Sequence, residues 1–100
     1  MERLLPVSGI VLRIREVTNG PLTTTLHVEG RIISSWVSVL EDECNRLLRA
    51  PGGCIRLDLS AVIFVDDRGV LVLQCLATRG IDITNAPPLI EALLRGERAP

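Results

Sequence analysis

The sequence has no lysine and no tyrosine, and His27 is its single histidine. All 11 basic residues are therefore arginine. Without lysine the chain lacks a Schiff-base residue, a phosphate-loop cation and a lysine general base. One histidine narrows the remaining choices, because histidine is the commonest side chain for proton transfer near neutral pH. The composition therefore argues against an enzyme.

Charge and aromatic content also disfavour a nucleic-acid partner. The 11 basic residues face 12 acidic ones, and Trp36 and Phe64 are the two aromatics, whereas nucleic-acid binding needs a basic surface. The chain contains no run of about 18 apolar residues that could cross a membrane. The 3 cysteines form no close Cys-x-x-Cys pair, so we expect a reduced cytoplasmic setting and thiols that pack as small hydrophobic groups without a metal.

One hundred residues, 47% of them hydrophobic, predict a single domain with its core in 10–94 and a frayed tail at 95–100. The hydrophobic pattern indicates an α/β fold of order β-β-α-β-α-β-α, with helices packed on a mixed four-stranded sheet that opens with an antiparallel hairpin. The predicted elements are strands at 10–14 and 22–29, a helix at 34–50, a strand at 54–59, an apolar extension at 61–65, a helix at 70–78, a strand at 81–84 and a helix at 87–94.

Three of these elements carry more specific expectations. Ser34 or Ser35 is the predicted N-cap of the first helix. The continuously apolar residues 61–65 are typical of a strand that is covered on both sides. His27 falls on the polar face of its strand, where we expect a solvated side chain.

The densest cluster of functional groups contains Asp58, Asp66, Asp67 and Arg68. Three carboxylates near strand ends could hold a hard divalent cation, but isolated carboxylates there are commoner as helix caps and turn formers. We therefore expect no metal, no cofactor and no catalytic residue. Because 66–69 joins an apolar strand to an apolar helix, it is either a simple helix cap or a recognition point at the surface.

Four segments resemble the motifs of the STAS domain, the module named for sulphate transporters and anti-sigma-factor antagonists: 28–32, 54–60, 62–66 and 69–70. They are similar to the family's L-x-G-x-L-D segment, its third-strand run v-v-L-D-L-s-x-v-x-F-I-D and its D-S-x-G-L turn. The resemblance extends from about Ile10 to Leu94. The family's final strand and helix have no counterpart beyond Leu94, so a C-terminally shortened STAS-like fold is expected.

The resemblance implies a non-enzymatic protein-interaction module. In bacterial anti-anti-sigma factors, a serine before the turn's glycine is phosphorylated by the anti-sigma factor, which is a kinase, and the unphosphorylated form binds that partner. Asp66, Gly69 and Val70 match the turn, whereas Asp67 replaces its first serine and Arg68 stands at the phosphorylated position. Since Arg68 cannot accept a phosphoryl group, we expect a module without the usual switch.

The resemblance assigns partner binding to the start of the second helix and the segment after the hairpin. The residues are Arg31, Ile33, Ser34, Ser35, Asp66, Asp67, Arg68, Gly69 and Val70. An alternative is an accessory subunit of a lipid-exporting ABC transporter, in which the apolar helix 70–77 is a permanent interface. Separately, the same apolar helix is a candidate interface for a homodimer. Weak nucleotide binding is a third alternative, disfavoured because two carboxylates at the helix start repel phosphate.

Overall fold

The computed structural model describes residues 2–4, 12–18, 20, 22–49 and 53–96. The elements in chain order are β1 (Glu2–Leu4), β2 (Leu12–Thr18), β3 (Thr23–Ile32), α1 (Ser35–Leu48), β4 (Cys54–Val65), α2 (Asp67–Thr78), β5 (Asp82–Thr84) and α3 (Pro88–Leu94). The predicted α/β class and element order are confirmed. The described sheet has one strand more than the four expected, because 2–4 pairs with β2.

The strand order in the sheet is β1-β2-β3-β4-β5. The first three strands pair antiparallel, and β3, β4 and β5 pair parallel. The predicted hairpin is present, but β2 continues to Thr18, where the apolar alternation has already ended. Its polar residues stay extended because β3 supplies ladder partners as far as Thr24. The predicted start at Ile10 lies outside the described residues.

Buried side chains lie on one face of the sheet. Along β2 to β4 they alternate with exposed or half-exposed polar residues, as in Leu12, Arg13 and Ile14. The helices cover the apolar face, and the polar side chains of the other face are exposed or half-exposed along the described strands. The buried side chains that form the core are Leu12, Ile14, Leu26, Val28, Ile32, Val37, Leu40, Cys44, Ile55, Leu57, Leu59, Val62, Val65, Leu73, Leu76, Ile81 and Ile90.

The prediction that 61–65 is covered on both sides is wrong. Val62 and Val65 are buried, but Ile63 and Phe64 are exposed. The stretch extends β4 beyond the point where β5 ends, because the three residues of β5 pair only with 56–58. The uninterrupted apolar sequence therefore belongs to a stretch of β4 that is not covered on both faces and that extends past its partner β5.

The cysteines differ in their surroundings. Cys44 is buried on α1, and burial, assisted by the charge of Glu43, raises the pKa of its thiol to about 12. Cys54 and Cys75 are exposed, so the prediction that every thiol packs as a core residue is wrong. On α2, Leu73 and Leu76 are buried in the core, whereas Cys75 lies between them in the sequence and on the exposed side of the helix.

The bounds of α3, Pro88–Leu94, agree with the helix predicted at 87–94. Pro88 occupies the first turn, where its missing N–H costs nothing. The backbone N–H of Arg95 still donates to the Glu91 carbonyl at 3.1 Å, and the rest of the predicted tail beyond Gly96 lies outside the described residues. Among the described helices, none combines the length and apolar character needed to cross a bilayer.

Candidate functional site

Asp66 connects the starts of two helices. It is the N-cap of α2, and its Oδ1 accepts a hydrogen bond from the Gly69 N–H at 2.7 Å. Its Oδ2 accepts a second bond from the Ser34 N–H at 2.8 Å. The helix-cap interpretation of this turn named Asp66 or Asp67, and Asp66 is the cap. The same carboxylate also holds the β3–α1 turn against the β4–α2 turn.

Ser34 occupies the N-cap position of α1, but its side chain makes no capping hydrogen bond. The predicted N-cap position is therefore confirmed, although the Ser34 hydroxyl does not form the cap. The backbone of Ser34 has a φ of 52°, in the left-handed region that is uncommon for residues other than glycine. In this conformation its N–H donates to Asp66, so the turn is held through its main chain. The side chains of Ser34 and Ser35 are exposed.

Gly69 permits a close approach between α2 and the sheet. A Cβ at this position would lie 2.7 Å from Val65 Cγ1 and 2.9 Å from the Ile32 carbonyl oxygen. Both distances are shorter than van der Waals contact. Gly69 is itself buried, so its role here is to bring α2 against the ends of β3 and β4.

The accessible side chains at this end belong to both turns. Asp67, Arg68 and Arg31 are exposed, while Ile33 and Val70 are half-buried. The structure therefore places side by side the two segments that the resemblance assigned to one surface, where β3 and β4 end.

Ser38 joins this group although the sequence analysis did not select it. Arg68 Nη2 donates to Ser38 Oγ at 3.1 Å, linking the first turn of α2 to α1. Ser38 lies one helical turn after Ser34 and Ser35, and this spacing is the only signal that could have identified it.

Asp58 does not join the predicted acidic cluster. It lies within β4 on the open face of the sheet, where it accepts hydrogen bonds from the Ser60 N–H at 2.9 Å and from Asn85 Nδ2 at 3.2 Å. Burial raises the pKa of Asp58, but these bonds and the neighbouring His27 together lower it below its usual value. Within the described residues, no group of three potential metal ligands forms.

His27 is more constrained than the sequence predicts. Its Nδ1 lies 3.4 Å from Asp58 Oδ2, and its side chain is only partly exposed. The two residues are register partners on β3 and β4. They line a shallow depression of about 390 Å³ together with arginines of β2 and Glu29, so basic and acidic side chains share its lining.

The fold is shared with solved regulatory proteins. The anti-sigma factor antagonist SpoIIAA in its unphosphorylated form matches with a TM-score of 0.69, covering 83% of this chain and 78% of that chain at 13% identity. An anti-sigma factor antagonist from Mycobacterium paratuberculosis matches with a TM-score of 0.68, covering 85% of this chain and 78% of that chain at 18% identity. The chain has the fold of the anti-sigma factor antagonists.

The STAS-like fold expected from the motifs is thereby confirmed. No family model matches the sequence, and no curated protein matches it. In this antagonist fold the residues that resemble the D-S-x-G-L turn form the cap and first turn of α2, with Arg68 exposed beside Ser38.

Proposed function

We propose that this chain is a non-enzymatic module that antagonises an anti-sigma factor by binding it through the α2-start surface. This surface consists of Arg31, Ile33, Ser34, Ser35, Asp67, Arg68 and Val70. The observation that carries the proposal is the double acceptance of hydrogen bonds by Asp66, from Ser34 and Gly69. These bonds join two separate turns into one surface on the fold of an anti-sigma factor antagonist.

Arg68 makes this surface permanently charged. Its guanidinium is exposed and hydrogen-bonded to Ser38, and it retains donors that can grip a partner carboxylate in bidentate geometry. Arg68 has no hydroxyl that a serine kinase could phosphorylate, so serine phosphorylation at residue 68 does not release the partner. The module therefore acts by occupancy of its partner.

The proposal is tested with purified kinase-type anti-sigma factors from the source organism. Their dissociation constants are measured by calorimetry against the wild type, Arg68→Glu and Arg49→Glu. Arg49 is the matched control, because it is an exposed arginine just beyond the other end of α1, about 20 Å away along the helix. We expect Arg68→Glu to weaken binding at least about tenfold and Arg49→Glu to change it by less than about twofold.

Two results would contradict this function. The assignment of the α2-start surface as the binding site is wrong if a kinase-type anti-sigma factor binds the wild type, Arg68→Glu and Arg49→Glu equally well. The function itself is wrong if none of these factors binds the wild type. Far-UV circular dichroism of each variant confirms that the comparison is made between folded proteins.

An accessory role in a membrane transporter is the second candidate, and two exposed leucines favour it. Leu71 on α2 and Leu89 on α3 are 66% and 69% exposed, and permanent interfaces are rich in such apolar contacts. If the transporter role is correct, we expect the chain to co-purify with an ABC-transporter ATPase and permease. We also expect Leu71→Asp to abolish this association. Neighbouring genes for the ATPase and the permease would favour the transporter role. A neighbouring gene for a kinase-type anti-sigma factor would favour the anti-sigma-factor antagonist.

A further inference from the structure

The guanidinium of Arg68 is held by a neutral group of another helix. Its Nη2 donates to Ser38 Oγ at 3.1 Å, and Ser38 lies on α1 whereas Arg68 lies in the first turn of α2. A guanidinium has five N–H donors, so this bond leaves most of them available. In the part of the chain that the structure describes, no carboxylate lies within ion-pair distance of Arg68.

Arg46 on α1 shows the contrast. It pairs with Glu43 of its own helix and with Glu16 of β2. Carboxylate partners hold a guanidinium in place, but they also offset its charge. The Ser38 hydroxyl is uncharged, so it holds Arg68 and leaves the positive charge available to a partner.

The position of Ser38 relative to Arg68 is set by contacts that do not involve either side chain. Asp66 accepts hydrogen bonds from the N–H groups of Ser34 and Gly69, which ties the start of α1 to the start of α2. Gly69 is buried against the ends of β3 and β4. The bond between Ser38 and Arg68 therefore restricts a side chain whose backbone is already fixed.

We propose that Ser38 is a positioning residue for partner binding, because it holds the Arg68 guanidinium in the orientation that receives a carboxylate of the partner. This inference rests on the proposed function, since the partner is the anti-sigma factor that binds the α2-start surface. Ordering a long side chain on binding costs affinity. A guanidinium that is already ordered in the free protein avoids much of this cost. Ser38 itself need not contact the partner.

A second bond of the same kind provides a control for a purely structural role. Arg79 Nη1 donates to Asn45 Oδ1 at 2.6 Å, so it also links an arginine of the α2 region to a neutral side chain of α1. Arg79 follows the last residue of α2, about 16 Å along the helix from Arg68. Asn45→Ala therefore removes a similar link between the helices away from the α2-start surface.

The first experiment compares Ser38→Ala, Ser38→Thr and Asn45→Ala by calorimetry with the kinase-type anti-sigma factor that binds the wild type. We expect Ser38→Ala to weaken binding about fivefold, because Arg68 must then be ordered on binding. Ser38→Thr keeps the hydroxyl and should bind like the wild type. Asn45→Ala should change binding by less than about twofold. Urea unfolding of each variant confirms that folded proteins are compared.

A double-mutant cycle separates positioning from direct contact. In an Arg68→Ala background there is no guanidinium to position, so adding Ser38→Ala should change the dissociation constant by less than about twofold. The proposal is overturned if Ser38→Ala weakens binding equally with and without Arg68, because Ser38 would then contact the partner directly. It is also overturned if Ser38→Ala alone binds as tightly as the wild type.

Binding rates give a readout that a structural role would not produce. Ser38→Ala keeps the charge of Arg68, so the association rate and its salt dependence should stay close to those of the wild type while dissociation becomes faster. Arg68→Ala should also slow association. A Ser38→Ala protein that only associates more slowly would contradict the proposal.

The free protein tests the orientation step without a partner. The order parameter of the Arg68 Nε–H bond, measured by NMR relaxation, should fall in Ser38→Ala and stay unchanged in Asn45→Ala. Equal values in the wild type and Ser38→Ala would overturn the proposal.

Failure of this inference is distinguishable from failure of the proposed function. If Arg68→Glu weakens binding but Ser38→Ala does not, the proposed function stands and Ser38 has no positioning role. If no kinase-type anti-sigma factor binds the wild type, the proposed function fails and this inference fails with it.

Discussion

Asp66 and Ser34 are 32 positions apart in the chain, yet the carboxylate of Asp66 accepts a hydrogen bond from the Ser34 N–H at 2.8 Å. The other oxygen of the same carboxylate accepts from Gly69. One acceptor group thus satisfies amides at the starts of two helices, where N–H groups have no partner within the helix. The arrangement of the α2-start surface therefore depends strongly on a single side chain.

Asp66→Ala should destabilise the fold by about 2 kcal/mol, because it removes a helix cap and leaves two N–H groups without their charged acceptor. Urea unfolding at neutral pH measures this loss. Asp67→Ala is the control, since Asp67 is exposed in the first turn of the same helix and should cost less than about 0.5 kcal/mol. Similar losses in the two variants would show that Asp66 has no special role.

Gly69→Ala should also destabilise the protein, by about 1 to 3 kcal/mol, because the added methyl group forces α2 away from the sheet. The new Cβ would lie 2.7 Å from Val65 Cγ1 and 2.9 Å from a main-chain oxygen. At Gly53 a Cβ would have its nearest contact at 3.7 Å, so Gly53→Ala should be close to neutral. The thermal unfolding midpoints of the two variants test the difference, and a stable Gly69→Ala protein would contradict it.

Arg68→Ser should create a phosphate acceptor where the wild type has none. Incubation with a kinase-type anti-sigma factor and labelled ATP is expected to label this variant at residue 68, as read by mass spectrometry, and to leave the wild type unlabelled. Arg49→Ser controls for a serine introduced at an exposed position elsewhere. Labelling of the wild type at Ser34, Ser35 or Ser60 would disprove the absence of a switch.

Asp58 should make stability depend on pH in the acidic range. Its pKa is lowered in the folded protein, so its contribution is present above the unfolded pKa of about 3.9 and is lost as the pH falls through the lower, folded value. The difference in unfolding free energy between the wild type and Asp58→Asn should be largest near neutral pH and shrink below about pH 4.

Asp82→Asn is the control for this titration. Asp82 is exposed, and its contact with Arg56 is longer, at 3.7 Å, so its effect on stability should be small at every pH. Urea unfolding of both variants across the acidic range provides the comparison. A constant difference between Asp58→Asn and the wild type down to low pH would contradict the assignment.

The thiols should divide into two that react in the folded protein and one that does not. Cys54 and Cys75 are exposed and Cys44 is buried, and a pKa of about 12 keeps the Cys44 thiol protonated at neutral pH. Titration with a disulfide reagent should modify Cys54 and Cys75 in native buffer and Cys44 only in denaturant. Rapid native labelling of Cys44, located by peptide mapping, would show that α1 is packed differently.

Much of the fold follows from local patterns. Alternating residues in the hairpin and helical spacing in α1 predict the elements, because each must bury one apolar side. The cap at Asp66 was also predictable, since an acidic residue before an apolar helix satisfies N–H groups within its own turn. Interactions of short range in the chain are largely visible in residue order, but residue order did not show that the Ser34 hydroxyl makes no capping hydrogen bond.

Contacts between distant segments were not predictable in this way. The acidic cluster expected from the sequence does not form. Asp58 lies within β4 on the polar face of the sheet beside His27, whereas Asp66 follows the end of β4. The exposure of Ile63 and Phe64 depends on a bulge against β3 and on the short length of β5. An apolar run alone does not distinguish a central strand from such an edge.

The sequence by itself determined the α/β class, the order of the elements and the presence of a guanidinium at residue 68. The tertiary structure decided which groups meet: Asp66 with Ser34, Arg68 with Ser38 and His27 with Asp58. The physical reason is that secondary-structure propensity and the periodicity of hydrophobic residues depend on only a few neighbouring residues. A hydrogen bond between distant residues instead requires the strand register and the helix positions to be set by the packed core.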